Sequence, residues 1–297
     1  MRRHAVAATG RTLALCKRPW LMGIVNAAPD SFSDGGAHPD LDARVALAAE
    51  LIAAGADIID VGGESAITLR PPVAVEEELE RVVPLVRRLV GELGALVSVE
   101  TYKPAVAEAA IAAGAAIVND VSGLRDPALA DVCARTGAAL VLMHTRAAPK
   151  QRLQDPTLYD DVAADVARFL AERIELARAH GVRDEQLILD PGPDFAKTPA
   201  QTVAVLGRLA ELQALGRPLL LAVSRKDFVG ALTGRPPRER LAGTLAAIGH
   251  GVDAGAQILR VHDVAAVADY LAVRAALRGE ADVAAHVALD DAIRHAR

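Results

Sequence analysis

At least eight short apolar runs in this chain end in a polar cluster, and a helical pattern follows each one. The run ends read Ile24-Val25-Asn26, Ile58-Ile59-Asp60, Val97-Ser98-Val99-Glu100, Ile117-Val118-Asn119-Asp120, Val141-Leu142-Met143-His144, Leu187-Ile188-Leu189-Asp190, Leu221-Ala222-Val223-Ser224 and Ile258-Leu259-Arg260-Val261-His262. Continuous rather than alternating apolar runs suit parallel strands buried on both faces. Regular alternation of strand and helix predicts an α/β protein, a single (β/α)8 TIM barrel. All strand C-termini of such a barrel open onto one face, so clusters remote in sequence converge on one pocket. The competing architecture is an open doubly wound sheet. Its Gly-x-Gly-x-x-Gly fingerprint after the first strand is missing, and Gly62-Gly63 after the second is no substitute.

A second repeat supports the barrel. Gly55-Ala56-Asp57, Gly114-Ala115-Ala116, Gly137-Ala138-Ala139 and Gly255-Ala256-Gln257 each follow a helical pattern and precede an apolar run. Glycine at the left-handed position after a helix lets a short loop deliver the chain into the next buried strand. Helices are expected over Leu41–Ala54 with Asp40 as cap, Val75–Leu93, Pro104–Ala113, Pro127–Thr136, Tyr159–His180, Pro199–Leu215, Pro237–Ala254 and Val264–Arg278. Pro104, Pro127, Pro199 and Pro237 sit where a first helical turn tolerates proline. Residues 1–19 are expected to form a plug or short hairpin at the barrel bottom, 20–279 the barrel, and 280–297 an Ala-rich, charged tail with one further helix.

Composition narrows the class. Hydrophobic residues make up 52% and aromatics 3%, so Ala, Val, Leu and Ile must build the core, which suits barrel layers. Apolar stretches lack the length of a membrane span, and Arg11 and Lys17 interrupt any signal-peptide stretch. Cys16 and Cys133 form neither a disulfide framework nor a metal spacing, so a reduced cytoplasmic setting is expected and Cys133 should pack as a small hydrophobe. A net charge of −5 argues against nucleic acid as a partner; positive charge for an anionic ligand must be local.

The clusters themselves suggest chemistry. Asn26 opens the loop Pro29-Asp30-Ser31-Phe32-Ser33-Asp34-Gly35-Gly36, whose length and hard oxygen groups suit a lid near Mg²⁺. Glu100, Asn119 and Asp190 end three other strands and match a flat heterocycle bearing several N–H and C=O groups. Ser224-Arg225-Lys226 and Arg260-Val261-His262 follow the seventh and eighth strands, where this fold often binds phosphate, and strand alternation puts Arg260 and His262 on the same side. A Schiff-base role for Lys226 lacks a second lysine or an acid-base partner in the sequence, and zinc at His144 and His262 lacks a third ligand.

Six ordered motifs between Leu21 and Arg278 resemble the dihydropteroate synthase family, the pterin-binding barrels of folate biosynthesis. They are Met22–Asn26 with Pro29–Gly36; Asp60-Val61-Gly62-Gly63-Glu64-Ser65; Asn119-Asp120-Val121-Ser122-Gly123; Leu189-Asp190-Pro191-Gly192; Ser224-Arg225-Lys226; and Arg260-Val261-His262-Asp263. The resemblance implies a transferase that joins (7,8-dihydropterin-6-yl)methyl diphosphate to 4-aminobenzoate, with Mg²⁺ as cofactor and a homodimer as assembly. It implies that Asn26 is the Mg²⁺ ligand, Asn119 and Asp190 bond the pterin ring, Glu100 stands where the family has an aspartate, and Lys226 faces the pterin carbonyl side. Glu100, Asp190 and Lys226 are thereby the catalytic candidates. Arg260 and His262 are implied as diphosphate anchors, Ser224 as a group near the 4-aminobenzoate carboxylate, and Met143, Val121 and Phe195 as apolar walls.

Three departures from the family pattern stand out. The strand-two loop reads Glu64-Ser65-Ala66-Ile67-Thr68-Leu69-Arg70-Pro71-Pro72 in place of Glu-Ser-Thr-Arg-Pro-Gly, so Arg70 is the expected substitute cation. Glu100-Thr101-Tyr102-Lys103 replaces Asp-Thr-Tyr-Lys; the extra methylene moves the carboxylate by ~1.5 Å. Pro193-Asp194-Phe195-Ala196-Lys197 replaces a glycine-rich loop and adds a carboxylate. These changes keep an alternative open, a paralog that binds a pterin diphosphate without efficient condensation. A pterin-dependent methyltransferase working with a corrinoid partner is a weaker competitor, since it has no diphosphate to hold.

Overall fold

The computed structural model describes residues 4–15, 18–28, 40–65, 71–286, 288–289 and 294. A hairpin of β1 (His4–Ala8) and β2 (Arg11–Leu15) precedes the barrel. The barrel strands are β3 (Trp20–Asn26), β4 (Ile58–Gly62), β5 (Val97–Glu100), β6 (Ile117–Asp120), β7 (Ala139–Met143), β8 (Leu187–Asp190), β9 (Leu220–Leu221) and β10 (Ile258–Val261). They pair in parallel in the order β8-β7-β6-β5-β4-β3-β10-β9, and a parallel bridge from Leu189 to Leu219 closes the ring.

Alternation along these strands sorts every side chain. Met22, Ile58, Ile117, Val141, Ile188, Leu220 and Ile258 point inward and form one apolar cluster with Val6, Ala8, Leu13 and Leu15 of the hairpin. The hairpin therefore stoppers the bottom of the barrel, tied by Thr9 N–H to the Gly137 carbonyl at 2.7 Å. Two residues further along each strand, on the same inward face, stand Asp60, Asn119, Met143, Asp190, Ala222 and Arg260. The outward set, including Ile59, Val61, Val99, Val118, Leu140, Leu189 and Val261, packs against the helices. One period-two pattern thus builds an apolar bottom and a polar mouth.

The helices are α1 (Leu41–Ala53), α2 (Val75–Leu93), α3 (Pro104–Ala112), α4 (Ala128–Thr136), α5 (Val162–Ala179), α6 (Pro199–Gly207), α7 (Asp227–Thr233), α8 (Leu241–Asp253) and α9 (Val264–Leu277). Asp40 caps α1 by accepting the Ala43 N–H at 2.8 Å. The repeated Gly-Ala pairs close their helices as expected: at φ +104, Gly55 donates to the Ile52 carbonyl while Ala56 donates to that of Leu51, and Gly114 and Ala115 repeat the arrangement.

Differences from the expected elements have local causes. The Pro199–Leu215 helix breaks at Arg208 into α6 and a tighter 3-10 segment, Leu209–Leu215. Pro237–Glu239 forms a separate 3-10 turn before α8. Seven-residue α7 was not expected; Gly230 and a stop at Gly234 hide its pattern. Residues 280–286 form bends and turns with no helix, and much of the remaining tail lies outside the described residues. Cys133 is fully buried and desolvation pushes its thiol up to about 12, so it packs and does not react. Cys16 lies outside the described residues.

Candidate active site

A cavity of about 490 Å³ opens at the C-terminal mouth of the barrel, lined by residues that include Asn26, Glu100, Val121, Phe195, Ser224, Lys226, Arg260 and His262. Asn119, Asp190 and Met143 are buried at the strand ends below it. Neighbouring strands bring these groups together in register: Glu100 opposite Asn119, and Met143 opposite Asp190.

Asp60, which sequence reasoning left without a role, is the hub of the floor. Its Oδ2 accepts from Arg260 Nε at 2.6 Å and from Asn119 Nδ2 at 3.0 Å. Its Oδ1 is buried and has no hydrogen-bond partner among the described residues. Arg260 Nη2 donates to Glu100 as well. Arg260, the expected diphosphate anchor, thus stands between two carboxylates. Desolvation pushes the Glu100 carboxyl up against the pull of Arg260, whereas the two facing carboxylates hold the buried guanidinium charged.

On the opposite side, Asp190 Oδ1 accepts the Gly192 N–H at 2.7 Å. Burial pushes its carboxyl up, opposed by that hydrogen bond and by Lys226. Lys226 Nζ lies 4.4 Å from the centre of the Phe195 ring, a cation–π contact. Burial lowers the Lys226 ammonium, and Asp194 and Asp190 oppose it. Ser224 Oγ accepts from the His262 backbone N–H at 3.2 Å and contacts His262 Nδ1 at 3.0 Å, joining the seventh and eighth strand ends. Beside them Arg225 makes a two-pronged ion pair with Asp263. The cavity wall toward α2 carries a network in which Lys103 Nζ bonds Glu64 at 2.8 Å and Glu78 at 2.5 Å.

Some expectations need correction. Sequence reasoning found no second lysine near Lys226, yet buried Lys197 is close enough for the two charges to oppose each other. His144, set aside as a zinc ligand, is wholly buried, with Nε2 3.1 Å from Asp165 Oδ2. Asp120 faces outward and takes the N–H groups of Ser122 and Leu124. Arg70, Ala66-Ile67 and the lid residues Pro29–Gly36 lie outside the described residues. Sequence reasoning gave no role to Asp60 or Lys197; the signals for Asp60 were its place at a strand end and at the head of one of the six motifs.

Among the described residues, no set of three His, Cys, Asp or Glu side chains is gathered for a metal. A Cβ on Gly62 would meet Glu100 Oε1 at 3.6 Å and Asn26 Oδ1 at 3.9 Å, so two hard oxygen donors border one glycine. That donor chemistry fits Mg²⁺, which takes few protein ligands when phosphate supplies the rest.

The model of the family described as pterin binding enzyme matches residues 22–262, most of the chain and all of its barrel strands apart from Trp20 and Leu21 at the start of β3. The chain belongs to the pterin-binding enzyme family. This family member is 43% identical over 263 residues to the dihydropteroate synthase of Synechocystis sp., covering 88% of this chain and 91% of that one. Its fold matches the dihydropteroate synthase of Xanthomonas albilineans solved with 4-aminobenzoic acid, with a TM-score of 0.85, 45% identity and coverage of 93% and 99% of the two chains. The same synthase solved with 7,8-dihydropteroate matches with a TM-score of 0.82, 45% identity and coverage of 92% and 98%. Eight parallel strands in a closed ring with helices between them thus make this pterin-binding enzyme an α/β TIM barrel. No helix among its described residues is long and apolar enough to cross a membrane.

Proposed function

We propose that this pterin-binding enzyme is a dihydropteroate synthase, joining (7,8-dihydropterin-6-yl)methyl diphosphate to 4-aminobenzoate to give 7,8-dihydropteroate and diphosphate. One observation carries the reading: Asp60, Glu100, Asn119, Asp190, Lys226 and Arg260 gather at the mouth of a barrel that matches synthases along almost its full length.

In this reading Asn119 and Asp190 hydrogen-bond the pterin, and Lys226 meets its carbonyl side. The bond from the pterin methylene to the diphosphate oxygen breaks with its electron pair on the leaving group. Asp190 and Glu100 stabilise the positive charge that develops on the pterin-methyl carbon. The amine nitrogen of 4-aminobenzoate forms the new C–N bond and gives its proton to solvent. Arg260 and His262 neutralise the departing diphosphate, Arg260 exchanging part of its bonding to Glu100 for the anion. Asn26 would hold Mg²⁺, which when bound supplies further charge to the leaving group. Ser224 and Arg70 serve the 4-aminobenzoate carboxylate, with Val121, Met143 and Phe195 as apolar walls.

Purified protein supplied with the pterin diphosphate, Mg²⁺ and labelled 4-aminobenzoate should release labelled dihydropteroate and diphosphate in equal amounts. Tight pterin binding without product would overturn the assignment. We also place the protein in the cytoplasm and propose a homodimer, supported by the exposed apolar side chains of Leu232 on α7 and Val273 and Leu277 on α9. A monomeric mass in light scattering would refute the dimer.

A further inference from the structure

The largest fully buried side chain group includes a lysine. Lys197 is 0% exposed and belongs to the loop that joins β8 to α6, with its side chain turned into the interior. Its Nζ donates to the Gly192 carbonyl at 2.8 Å, the Phe195 carbonyl at 3.0 Å and His144 Nδ1 at 2.8 Å. Three donors thereby meet three acceptors. An acceptor at Nδ1 requires a neutral ring carrying its proton on Nε2, and Asp165 Oδ2 stands 3.1 Å from that nitrogen. Burial holds His144 neutral, pushing its pKa down to about 3. Asp165 is in turn ion-paired with Arg146 and Arg168. A chain of contacts runs from the outer surface through Asp165, His144 and Lys197 to two loop carbonyls.

The loop needs that support. Gly192, Asp194 and Ala196 all have left-handed φ, at +64°, +64° and +50°, and two of them carry a Cβ that disfavours this conformation. A Cβ on Gly192 would lie 2.1 Å from the His144 carbonyl oxygen, so the loop is pressed against the β7 end. The same loop carries Phe195, which lines the cavity beneath Lys226. The Asp190 backbone, at its root, is held by the strand ladder, where its carbonyl accepts the His144 N–H at 2.9 Å, and its carboxylate takes only the first loop amide, that of Gly192.

We propose that Lys197 is a positioning residue for the second substrate: anchored by His144 and Asp165, it holds the 191–196 loop in its strained form and so sets the place of Phe195. This rests on the synthase reading for its kinetic consequence, though not for its structural one. Without Lys197 the loop relaxes, while Asp190 keeps its strand position.

The test compares wild type with Lys197→Met, which keeps the length and loses the donors, and Lys197→Gln, which keeps an amide donor. The amides of Gly192 and residues 194–196 should exchange with deuterium faster in Lys197→Met, with residues 187–190 unchanged. The KM for 4-aminobenzoate should rise about tenfold and that for the pterin diphosphate stay within about twofold, as expected when a mispositioned contact serves one substrate. Lys197→Gln should restore part of both changes. Unchanged loop exchange in folded Lys197→Met would overturn the proposal, as would a loss of kcat alone or failure of both variants to unfold cooperatively. A wild type that makes no dihydropteroate defeats the synthase reading, but the exchange result then still decides the loop's anchor.

Discussion

Arg260 donates to Asp60 Oδ2 across 2.6 Å, although the two residues are 200 positions apart in the chain. The same carboxylate oxygen takes the Asn119 amide, so one buried acid aims both a cation and an amide at the barrel mouth. Such charge-assisted bonds are directional as well as strong, which makes Asp60 a support for two neighbours.

Asp60→Ala leaves the Arg260 guanidinium with Glu100 alone and Asn119 without its acceptor. Loss of one partner from a buried ion pair typically costs about 3 kcal/mol or more. Urea denaturation should record a loss of that size, and kcat/KM for the pterin diphosphate should fall by roughly 100-fold, on the scale of a misplaced catalytic contact. Wild-type stability in this variant would refute the hub role.

Glu100→Asp shortens the side chain that reaches Arg260. Arg260 should then be freer to meet an anion. The expected outcome is tighter product inhibition by inorganic diphosphate, by about threefold, a fraction of the energy of an exposed-to-buried ion pair. Identical inhibition constants in the two proteins would remove the competition between Glu100 and the leaving group.

Asp190→Asn tests the cost of the floor. Burial raises the Asp190 pKa in the folded state above that of the unfolded chain. Below the unfolded pKa of about 4 both states are protonated and nothing is lost. As pH rises through the folded pKa, the native state must ionise a desolvated carboxyl, and stability falls. The asparagine variant escapes that loss, so its unfolding free energy should exceed wild type by about 1 kcal/mol near pH 7.5, with the gap closing near pH 4, while activity collapses. A gap that widens toward acid would reverse the sign and reject the account.

Phe195→Ala removes the ring 4.4 Å from Lys226 Nζ. In the proposed reading the ring also walls the second substrate, and losing about 1 kcal/mol of that apolar contact should raise the KM for 4-aminobenzoate roughly fivefold. Calorimetry of 4-aminobenzoate binding in the presence of diphosphate and a pterin would show the same factor; no change would mean that the ring is not part of the second-substrate wall.

Much of the site was legible before the fold was known, and the misses are instructive. Glu100, Asn119, Asp190, Ser224, Arg260 and His262 stand out because each interrupts an apolar run at its end, and in a barrel that position is the mouth. Asp60 satisfies the same rule, but its importance lies in accepting from two residues on other strands, which no local pattern encodes. For Lys197 the sequence offers no such signal, because only burial separates it from a loop lysine facing water. Helix α7 went unseen since glycines at 230 and 234 mask a seven-residue pattern.

By itself the chain's order of residues determined the barrel, through apolar runs of strand length, helices between them and glycines that close those helices by local backbone bonds. Tertiary structure alone decided the partnerships: Arg260 with Asp60 and Glu100, Lys197 with His144, and Lys226 with Phe195. The reason is range. Backbone caps and strand alternation act over a few residues, whereas a buried charge takes whichever partners ring closure brings within hydrogen-bonding distance.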